Sequence, residues 1–335
     1  MKTLLNSLAR SVLPGALRHT DHSLDEHTRQ QVAMAMIFAS SNRQRLSLPE
    51  LGAAEFRAFS QWGEDGIIDW LIERLPGIPQ RFVEFGVEGY TEANTRLLLH
   101  SRNWQGLVID GSQSHIERLQ QREEYWRFNL TAVADFITRE NINELIGENG
   151  MQGEVGLLSV DIDGNDYWVW EAIDVISPWL VVCESNPVLG DLHALSIPYD
   201  PGFVASEAHY SQLYFGASLR ALEILGKRKG YTLLGSNSNG LNLFFVRNDI
   251  GEPLVQAVEQ VRCYPNRYRT SRDNDGKLDY LPPIQQAQVI DTLPLVNIET
   301  GKLTTLADIG PIESTDWQRH RIGLPPARAG ENTRT

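Results

Sequence analysis

The stretch Arg81–Asn94, RFVEFGVEGYTEAN, decides the fold of this chain of 335 residues. A short apolar run, Phe82 to Phe85, meets a glycine turn at Gly86–Gly89, and the segment TEANTRLLLHSRN that follows has the composition of a helix. Strand, glycine turn and helix in this order build a ligand pocket at the carboxyl end of the first strand of an open α/β sheet. Glycine lets backbone N–H groups approach a ligand, and the helix N-terminus adds partial positive charge.

The acidic residues of this stretch decide which ligand the pocket suits. Glu84 lies at the strand end and Glu88 in the turn, so both would repel a pyrophosphate. A dinucleotide-binding fingerprint needs glycines at positions 86, 88 and 91, where the chain has Gly86, Glu88 and Thr91. The sequence therefore favours a ligand that carries a cationic end and a ribose.

The next predicted strand supplies an acid for that ribose. GLVIDGS, Gly106 to Ser112, contains Asp110, which follows Glu84 by 26 residues. An acid at about 20 residues' distance accepts hydrogen bonds from a ribose diol in such pockets. The pattern resembles the class I S-adenosylmethionine-dependent methyltransferases, whose first strand ends in an acid and a glycine loop and whose second ends in a ribose-binding acid. Glu88 departs from this pattern, because many members have a second glycine there.

The resemblance implies that S-adenosylmethionine is the cofactor, with Glu84 facing its cationic methionine end and Asp110 facing its ribose. An acid after the third strand contacts the adenine amine in the family, and Asp135 occupies that position here. Gln61 lies where the chain enters the pocket. The predicted cofactor-binding residues are Gln61, Glu84, Gly86, Asp110, Gly111, Ser112 and Asp135.

Strands and helices alternate from Phe82 onward, which predicts a parallel sheet with right-handed crossovers. The strands are predicted at Phe82–Phe85, Leu107–Asp110, Leu130–Ala134, Val155–Asp161 and Leu180–Glu184, with helices at about 92–102, 114–122, 139–147 and 166–176. A further helix at 217–228 and strands Tyr231–Ser236 and Leu241–Arg247 would close the sheet as the methyltransferase fold does. We therefore expect a Rossmann-like α/β fold: a mostly parallel seven-stranded sheet with one antiparallel strand and helices on both faces.

Four regions are expected along the chain. Residues 1–55 form a helical N-terminal appendage and residues 56–250 the methyltransferase domain. Within Phe56–Leu75 a helix is expected that Ser60 caps and whose apolar face is Ile67, Ile68, Leu71, Ile72 and Leu75. Residues 251–323 form an extension that packs on this domain and carries a hairpin around Glu299–Gly301, and residues 324–335 form a disordered tail. Within the domain, Asn186–Phe215 is predicted to be a long structureless loop that covers the acceptor pocket.

The segment Val155–Ile173, VGLLSVDIDGNDYWVWEAI, is the most specific motif of the chain. A calcium loop of the EF-hand type would need Gly at 166 and Glu at 172, where the chain has Asp166 and Ala172, so this reading is rejected. The segment resembles the FkbM-like methyltransferases, in which a strand runs into an Asp-x-acid-Gly-x-acid sequence. The matching positions are Asp161, Asp163, Gly164 and Asp166.

A divalent cation is predicted beside the cofactor. Neighbouring parallel strands end side by side, which would bring together Asp161, Glu184 and Asn186, with Asp163 as a further candidate. Hard oxygen ligands of this kind suit Mg²⁺, Mn²⁺ or Ca²⁺, and Mg²⁺ or Mn²⁺ is the expected ion. Asp161 and His209 are the candidate catalytic residues, since an acid or a histidine can accept the proton of an acceptor hydroxyl. The alternative is that these acids cap helices and bind ribose or water with no metal.

Composition limits the partners and the location. A net charge of −13 and a pI of about 5.1 argue against nucleic acid, whose binding depends on Lys and Arg. No apolar run is long enough to cross a membrane, and we expect a cytoplasmic protein. The N-terminal residues Leu4, Leu5, Leu8, Val12 and Leu13 have the spacing of an amphipathic helix that would contact a membrane surface or pack on its own domain.

The predicted function is S-adenosylmethionine-dependent methyl transfer to a hydroxyl of a sugar, a glycan or another small molecule. Two alternatives stay open at this point. One is a nucleotide-sugar or NAD-dependent enzyme on the same sheet, which the missing glycines at 88 and 91 disfavour. The other is a non-catalytic binding protein, which would have no need of acids at several strand ends.

Overall fold

A seven-stranded mixed sheet forms the centre of the computed structural model, which describes residues 26–267 and 270–324. The strands of the chain are β1 (Arg81–Phe85), β2 (Gln105–Asp110), β3 (Leu130–Ala134), β4 (Gly153–Val160), β5 (Ile176–Glu184), β6 (Leu195–Ser196), β7 (Tyr231–Ser236), β8 (Asn242–Arg247), β9 (Leu295–Asn297) and β10 (Lys302–Thr304). The order in the large sheet is β3-β2-β1-β4-β5-β8-β7, and β8 alone runs antiparallel to its neighbours. This confirms the predicted fold class.

Helices cover both faces of this sheet. They are α1 (26–43), α2 (Glu64–Ile72), α3 (Arg96–Arg102), α4 (Gln113–Gln120), α5 (Glu123–Arg127), α6 (Ile142–Glu148), α7 (Asp166–Ala172), α8 (Ala205–Ala208), α9 (Leu219–Arg228), α10 (Glu252–Ala257), α11 (Pro283–Val289) and α12 (Thr315–Arg321). Successive residues of a strand point to opposite faces, so Leu157 of β4 joins one hydrophobic core and Leu158 the other. Strands buried on both faces explain why the sequence shows continuous apolar runs.

The helix predicted to be capped by Ser60 begins only at Glu64, with Gly63 as its N-cap, because the chain before it is held in a loop by a buried carboxylate. Asp65 Oδ2 accepts hydrogen bonds from the backbone N–H groups of residues 58, 59 and 60, at 2.7–2.8 Å. Ser60 Oγ accepts in return from Asp65 N at 3.0 Å. This reciprocal arrangement leaves Gln61 and Trp62 on a fixed turn at the N-terminus of α2.

The turn between β7 and β8 is buried and holds that N-terminus. Glu64 Oε1 accepts hydrogen bonds from Asn237 Nδ2 at 2.7 Å and from Asn242 Nδ2 at 2.8 Å. Asn237 Oδ1 also accepts from Leu241 N at 3.0 Å, which closes the turn itself. The sequence SNSNG therefore does more than connect two strands, because it positions the segment that precedes α2.

The predicted helix over 166–176 ends early, at Ala172. Strand β5 begins at Ile176, where it pairs with Gly153, so the chain must leave the helix several residues before. Asn143 fixes this exit, because its Nδ2 donates to Ala172 O at 2.8 Å and its Oδ1 accepts from Asp174 N at 3.0 Å. The pairing partner of β5 therefore decides the length of α7.

The loop predicted over Asn186–Phe215 is not structureless. It contains a short 3₁₀ turn at Pro187–Leu189, strand β6 and helix α8. Strand β6 pairs with β9, and β9 pairs with β10 in the hairpin that the sequence predicted around Glu299–Gly301. The first half of this segment therefore belongs to a small sheet whose other strands come from the C-terminal extension.

The chain that precedes the domain packs into the main core. Leu48, Leu51 and Ala54 are buried with residues of the large sheet, and Leu48 forms a parallel bridge with Val258. The amphipathic helix predicted at the N-terminus and the tail after Leu324 lie outside the described residues. No helix of the described part is long and apolar enough to cross a membrane.

The contact of α2 with the segment before it yields a stability prediction. A Cβ at Gly66 would lie 2.1 Å from Ala54 O and 2.4 Å from Phe56 N. Helix propensity alone would favour alanine by up to about 1 kcal/mol. The clash, however, is with backbone atoms, which cannot move aside as the end of a side chain can. Gly66→Ala should lower the free energy of unfolding by about 2 kcal/mol, measured by urea denaturation.

The matched control is Gly147→Ala in α6. A Cβ there would meet only the end of the Gln152 side chain, at 2.9 Å, which is free to move. This variant should be as stable as the wild type or slightly more so. Equal stability of the two variants would contradict the close contact between α2 and residues 54–56.

Candidate active site

A cavity of about 560 Å³ opens at the carboxyl ends of the parallel strands. This is where ligands bind in open α/β sheets, next to the point at which the strand order reverses between β1 and β4. One part of its wall comes from the turns that follow the parallel strands and from the turn before α2. That part consists of Gln61, Trp62, Gly86, Glu88, Asp110, Gly111, His115, Phe136, Ile137, Asp161, Ile162, Asp163, Asn165 and Glu184.

Gly86 brings the ends of β1 and β4 together. Its φ is +69°, in the left-handed region that glycine tolerates best, and its N–H donates to Ile109 O at 3.1 Å. A Cβ at this position would lie 1.6 Å from Asp161 O. Any side chain at position 86 would therefore clash with the backbone that follows β4, whether or not a ligand also approaches this glycine.

Asp110 lies at the end of β2 and is 6% exposed. Its Oδ2 accepts a hydrogen bond from Glu88 N at 2.6 Å, and its Oδ1 accepts from Ser112 N at 2.8 Å and lies 3.0 Å from His115 Nδ1. These bonds fix the carboxylate at the cavity wall and join it to the turn after β1. Ser112, predicted to contact the cofactor, is the N-cap of α4 and is not part of the wall.

Glu84 is buried behind the wall and does not face the cavity, contrary to the sequence-based expectation. Its carboxylate accepts hydrogen bonds from Asn94 N at 2.7 Å, from Thr95 N at 3.1 Å and from Thr95 Oγ1. Burial raises the pKa of this carboxyl to about 7, although these bonds favour its charged form. Glu84 therefore anchors the N-terminus of α3.

Asp135 is exposed and lies beside the wall, since its N–H donates to Asp110 O at 3.1 Å. The residues that follow it, Phe136 and Ile137, line the cavity, and the Phe136 side chain is 44% exposed. Sequence analysis missed this aromatic side chain. The sequence did contain a signal for it, namely a large apolar residue directly after the acid that follows β3.

Three carboxylates meet at the ends of β4 and β5. One oxygen each of Asp161, Asp163 and Glu184 lies within 4.8 Å of the others. Negative charges this close repel one another unless a proton or a cation intervenes. Burial, and then repulsion between these groups, raises the pKa values of Asp161 and Glu184 well above their ordinary range.

Glu184 is the most deeply buried member of this cluster. Its side chain is 8% exposed, and its Oε2 is buried with no hydrogen-bond partner among the described residues. A buried oxygen without a partner is costly unless a ligand, a proton or a cation compensates it. The cluster therefore has the chemistry of a cation or proton site.

Asp166 holds the loop that presents Asp163. Its Oδ1 accepts from Ile162 N at 2.8 Å and its Oδ2 accepts from Gly164 N at 3.0 Å, while burial raises its pKa to about 6. Asp163 between them has a φ of +52°, which is rare for a residue with a side chain. Glu88 and Gln212 in the same wall also have positive φ, and such strain concentrates at functional sites.

Asn186 was wrongly predicted as a metal ligand. Its Nδ2 donates to Leu213 O and Phe215 O, both at 2.9 Å, and its Oδ1 accepts from Val188 N at 3.0 Å. The amide is completely buried and its donors and acceptor are used, so none of its atoms faces the cavity. Asp163, the further candidate, lies in the cluster with Asp161 and Glu184 instead.

His209 also lies away from the wall, which removes the reason to name it as a catalytic residue. Its Nδ1 lies 2.7 Å from Ser211 Oγ, and its ring packs on Tyr210 with centroids 4.3 Å apart. Partial burial lowers the pKa of this imidazole. The histidine thus stabilises the turn that leads to Gln212.

The opposite part of the wall comes from segments that are distant in sequence from the first part. It consists of residues 203–206, Gln212, Leu213, Phe215, Leu241, Thr270 and Arg272. Phe203 packs against Gly164, whose Cβ position would lie 2.5 Å from its ring. The second half of the predicted loop therefore does border the cavity, as expected of a segment that covers an acceptor.

Comparison with solved structures returns low-identity matches that cover about half of this chain. The N-terminal domain of EvdMO1 in the presence of SAH and D-fucose aligns over 55% of this chain and 82% of its own, at 12% identity and a TM-score of 0.35. The O-methyltransferase TomG from Streptomyces achromogenes, in complex with SAM, aligns over 57% and 83%, at 15% identity and a TM-score of 0.36. An S-adenosylmethionine-dependent methyltransferase from Clostridium acetobutylicum aligns over 55% and 90%, at 10% identity and a TM-score of 0.35.

No protein-family model matches the sequence, and comparison with curated proteins gives no match.

The raised pKa values of the acid cluster predict how stability depends on pH. Asp161 and Glu184 keep protons in the folded protein at pH values where the unfolded chain has lost them. Stability is therefore greatest near pH 5 and falls as the pH rises through the folded pKa values. In chelator, the free energy of unfolding should fall by at least about 1 kcal/mol between pH 5 and pH 8, the equivalent of one pKa unit.

Asp161→Asn should flatten this fall, since it removes one of the two interacting carboxyls. Glu207→Gln, a change in an exposed residue of α8, should leave it unchanged. Chemical denaturation across the pH range measures both. A wild-type protein that gains stability between pH 5 and pH 8 would contradict the raised pKa values.

Proposed function

We propose that this chain is an S-adenosylmethionine-dependent methyltransferase that acts on a hydroxyl of a sugar, a glycan or another small molecule. The observation that carries the proposal is the acidic wall at the reversal of strand order, where Glu88, Asp110, Asp161 and Asp163 border one cavity. Such a wall repels phosphates, and it attracts a ligand whose sulfonium and ammonium groups are positive. This also disfavours a nucleotide-sugar or NAD-dependent enzyme.

The other end of the cavity suits an adenosine. Asp110 is fixed at the wall by backbone N–H groups on both sides, which leaves its remaining lone pairs for ribose hydroxyls. Phe136 and Ile137 offer an apolar surface next to it on which a flat base can lie. In this proposal Gln61, Gly86 and Gly111, which also line the cavity, contact the cofactor.

A divalent cation, Mg²⁺ or Mn²⁺, is part of the proposal, with Asp161, Asp163 and Glu184 as its ligands. Their carboxylate oxygens are close enough to share one ion, and the unpartnered Oε2 of Glu184 fits a ligand role. When bound, such an ion stabilises the alkoxide form of an acceptor hydroxyl. Asn186 is excluded from the ligand set because its amide is fully used.

The chain's own residues supply the remaining chemistry. In methyl transfer the acceptor oxygen forms a bond to the methyl carbon while the bond from that carbon to sulfur breaks. The acceptor proton must leave, and in this proposal Asp161 accepts it in the state in which that carboxyl is ionised and Glu184 holds the proton of the pair. The raised pKa values make the ionised member of the pair a stronger base than an ordinary aspartate.

The first test concerns the cofactor. Calorimetry should show that the protein binds S-adenosylhomocysteine and does not bind NAD. Asp110→Ala should weaken the binding by about 2 kcal/mol, or about 30-fold, on the scale of a hydrogen bond to a charged group. Glu117→Gln, an exposed change on α4, is the control and should bind like the wild type. Unchanged affinity in Asp110→Ala, or no binding by the wild type, would refute the proposed cofactor site.

The second test concerns the cation. Mn²⁺ should raise the melting temperature of the wild type and bind in calorimetry, while Glu184→Gln and Asp163→Asn should each weaken that binding at least tenfold. The exposed Glu117→Gln again serves as control. EDTA should abolish methyl transfer and Mg²⁺ should restore it. If the wild type binds no Mn²⁺ and remains fully active in EDTA, the cation is discarded and the three carboxylates act through proton exchange alone.

A further inference from the structure

Arg272 differs from every other residue of the cavity wall in its charge. It is the one lysine or arginine among the described residues that line the cavity, and the wall otherwise carries five carboxylates. It belongs to the C-terminal extension, which sequence analysis left without a function. Thr270 of the same segment lies beside it in the wall.

The backbone around Arg272 is fixed. Arg272 forms an antiparallel bridge with Leu278, and its N–H donates to Ser211 O at 3.3 Å. The turn between the bridged residues is closed by Asp273 Oδ1, which accepts from Asp275 N and Lys277 N at 2.9 Å each. The arginine is thus carried on a small, internally bonded hairpin rather than on a free loop.

The guanidinium is oriented by two neutral oxygens. Nε donates to Gln212 Oε1 at 3.4 Å, and Nη1 donates to Gly276 O at 3.0 Å. Gln212 is itself in the cavity wall and has a φ of +58°. These contacts set the direction of the side chain and leave Nη2 and the second N–H of Nη1 without an acceptor in the described chain.

Arg272 also lacks the carboxylate partner that comparable arginines have. Arg102 pairs with Asp69 and Glu73, and the partly buried Arg321 pairs with Glu313. No carboxylate of the described residues forms an ion pair with Arg272. A half-buried guanidinium with a free donor edge is suited to a planar carboxylate or to a phosphate, which it can bind with two parallel hydrogen bonds.

We propose that Arg272 binds a carboxylate or phosphate group of the acceptor, so that the acceptor is an anionic hydroxyl compound such as a hexuronic acid or a sugar phosphate. This inference rests on the proposed function. It assigns the anion to the acceptor because Arg272 lies in the part of the wall formed by residues 203–206, Gln212, Leu213, Phe215 and Thr270. The wall proposed for the cofactor comes from the turns after β1, β2 and β3.

The test uses matched probe pairs on protein saturated with S-adenosylhomocysteine. Glucuronate is compared with glucose, and glucose 6-phosphate with glucose, by calorimetry and by saturation-transfer NMR. The wild type should bind at least one anionic probe at least tenfold more tightly than glucose. Arg272→Gln should remove this preference, and Arg272→Lys should restore part of it.

Lys277→Gln is the control, since it removes one positive charge from the exposed end of the same hairpin. It should keep the preference of the wild type. Equal affinity of the wild type for charged and neutral probes, including no binding of either, would overturn the proposal. So would loss of the preference in Lys277→Gln, because a general charge effect would then explain it.

A second measurement separates Arg272 from the cofactor site. Arg272→Gln should bind S-adenosylhomocysteine as the wild type does. If it binds S-adenosylhomocysteine more weakly but binds methylthioadenosine, which lacks the carboxylate, as well as the wild type does, then Arg272 contacts the methionine carboxylate and the acceptor assignment is overturned. Failure of the wild type to bind S-adenosylhomocysteine would instead count against the proposed function, and the probe pairs would still report on Arg272.

Discussion

Repulsion between buried carboxylates is the constraint around which the cavity is built. Asp161 and Glu184 end neighbouring strands, so the register of β4 with β5 forces them together in a place with little water. Nothing in the described wall neutralises them, because Arg272 forms no ion pair with either. The protein must therefore hold a proton or a cation there, at a cost to stability that a purely structural site would avoid. Asp166 adds to this cost while it fixes the loop.

The large sheet was predictable because its determinants are local. Each of the strands β1 to β5 has five to nine residues, most of them apolar, and either ends in an acid or is directly followed by an acid or a glycine. Burial on both faces makes that pattern visible in the sequence. Of the small sheet, only the hairpin of β9 and β10 was predictable. Strand β6 has two residues, and its partners, Val296 and Asn297, lie far along the chain. Such pairing depends on tertiary packing, which leaves no periodic signal in so short a strand.

The same difference between local and distant determinants applies to the site. The predicted strand ends correctly indicated that Asp161 and Glu184 lie together and that Asp110 lies in the wall, because these residues belong to the strands or directly follow them. The positions of residues beyond the strand ends were harder to predict. Asn186 lies two positions after Glu184, yet its amide turns to the carbonyls of residues 213 and 215. The left-handed backbone of Asp163, which depends on Asp166, likewise had no signature in its own residue type.

The two parts of the cavity wall have separate origins along the chain. One comes from turns that cannot change without disturbing the large sheet, as the contact between Gly86 and Asp161 O illustrates. The other comes from residues 203–206, Gln212, Leu213, Phe215, Thr270 and Arg272, which lie outside its strands. Its exposed members, such as Val204 and Ser206, can change with little penalty to folding. Over evolutionary time, or in directed evolution, the shape and charge around these residues can diversify while the half beside the strand ends stays constant.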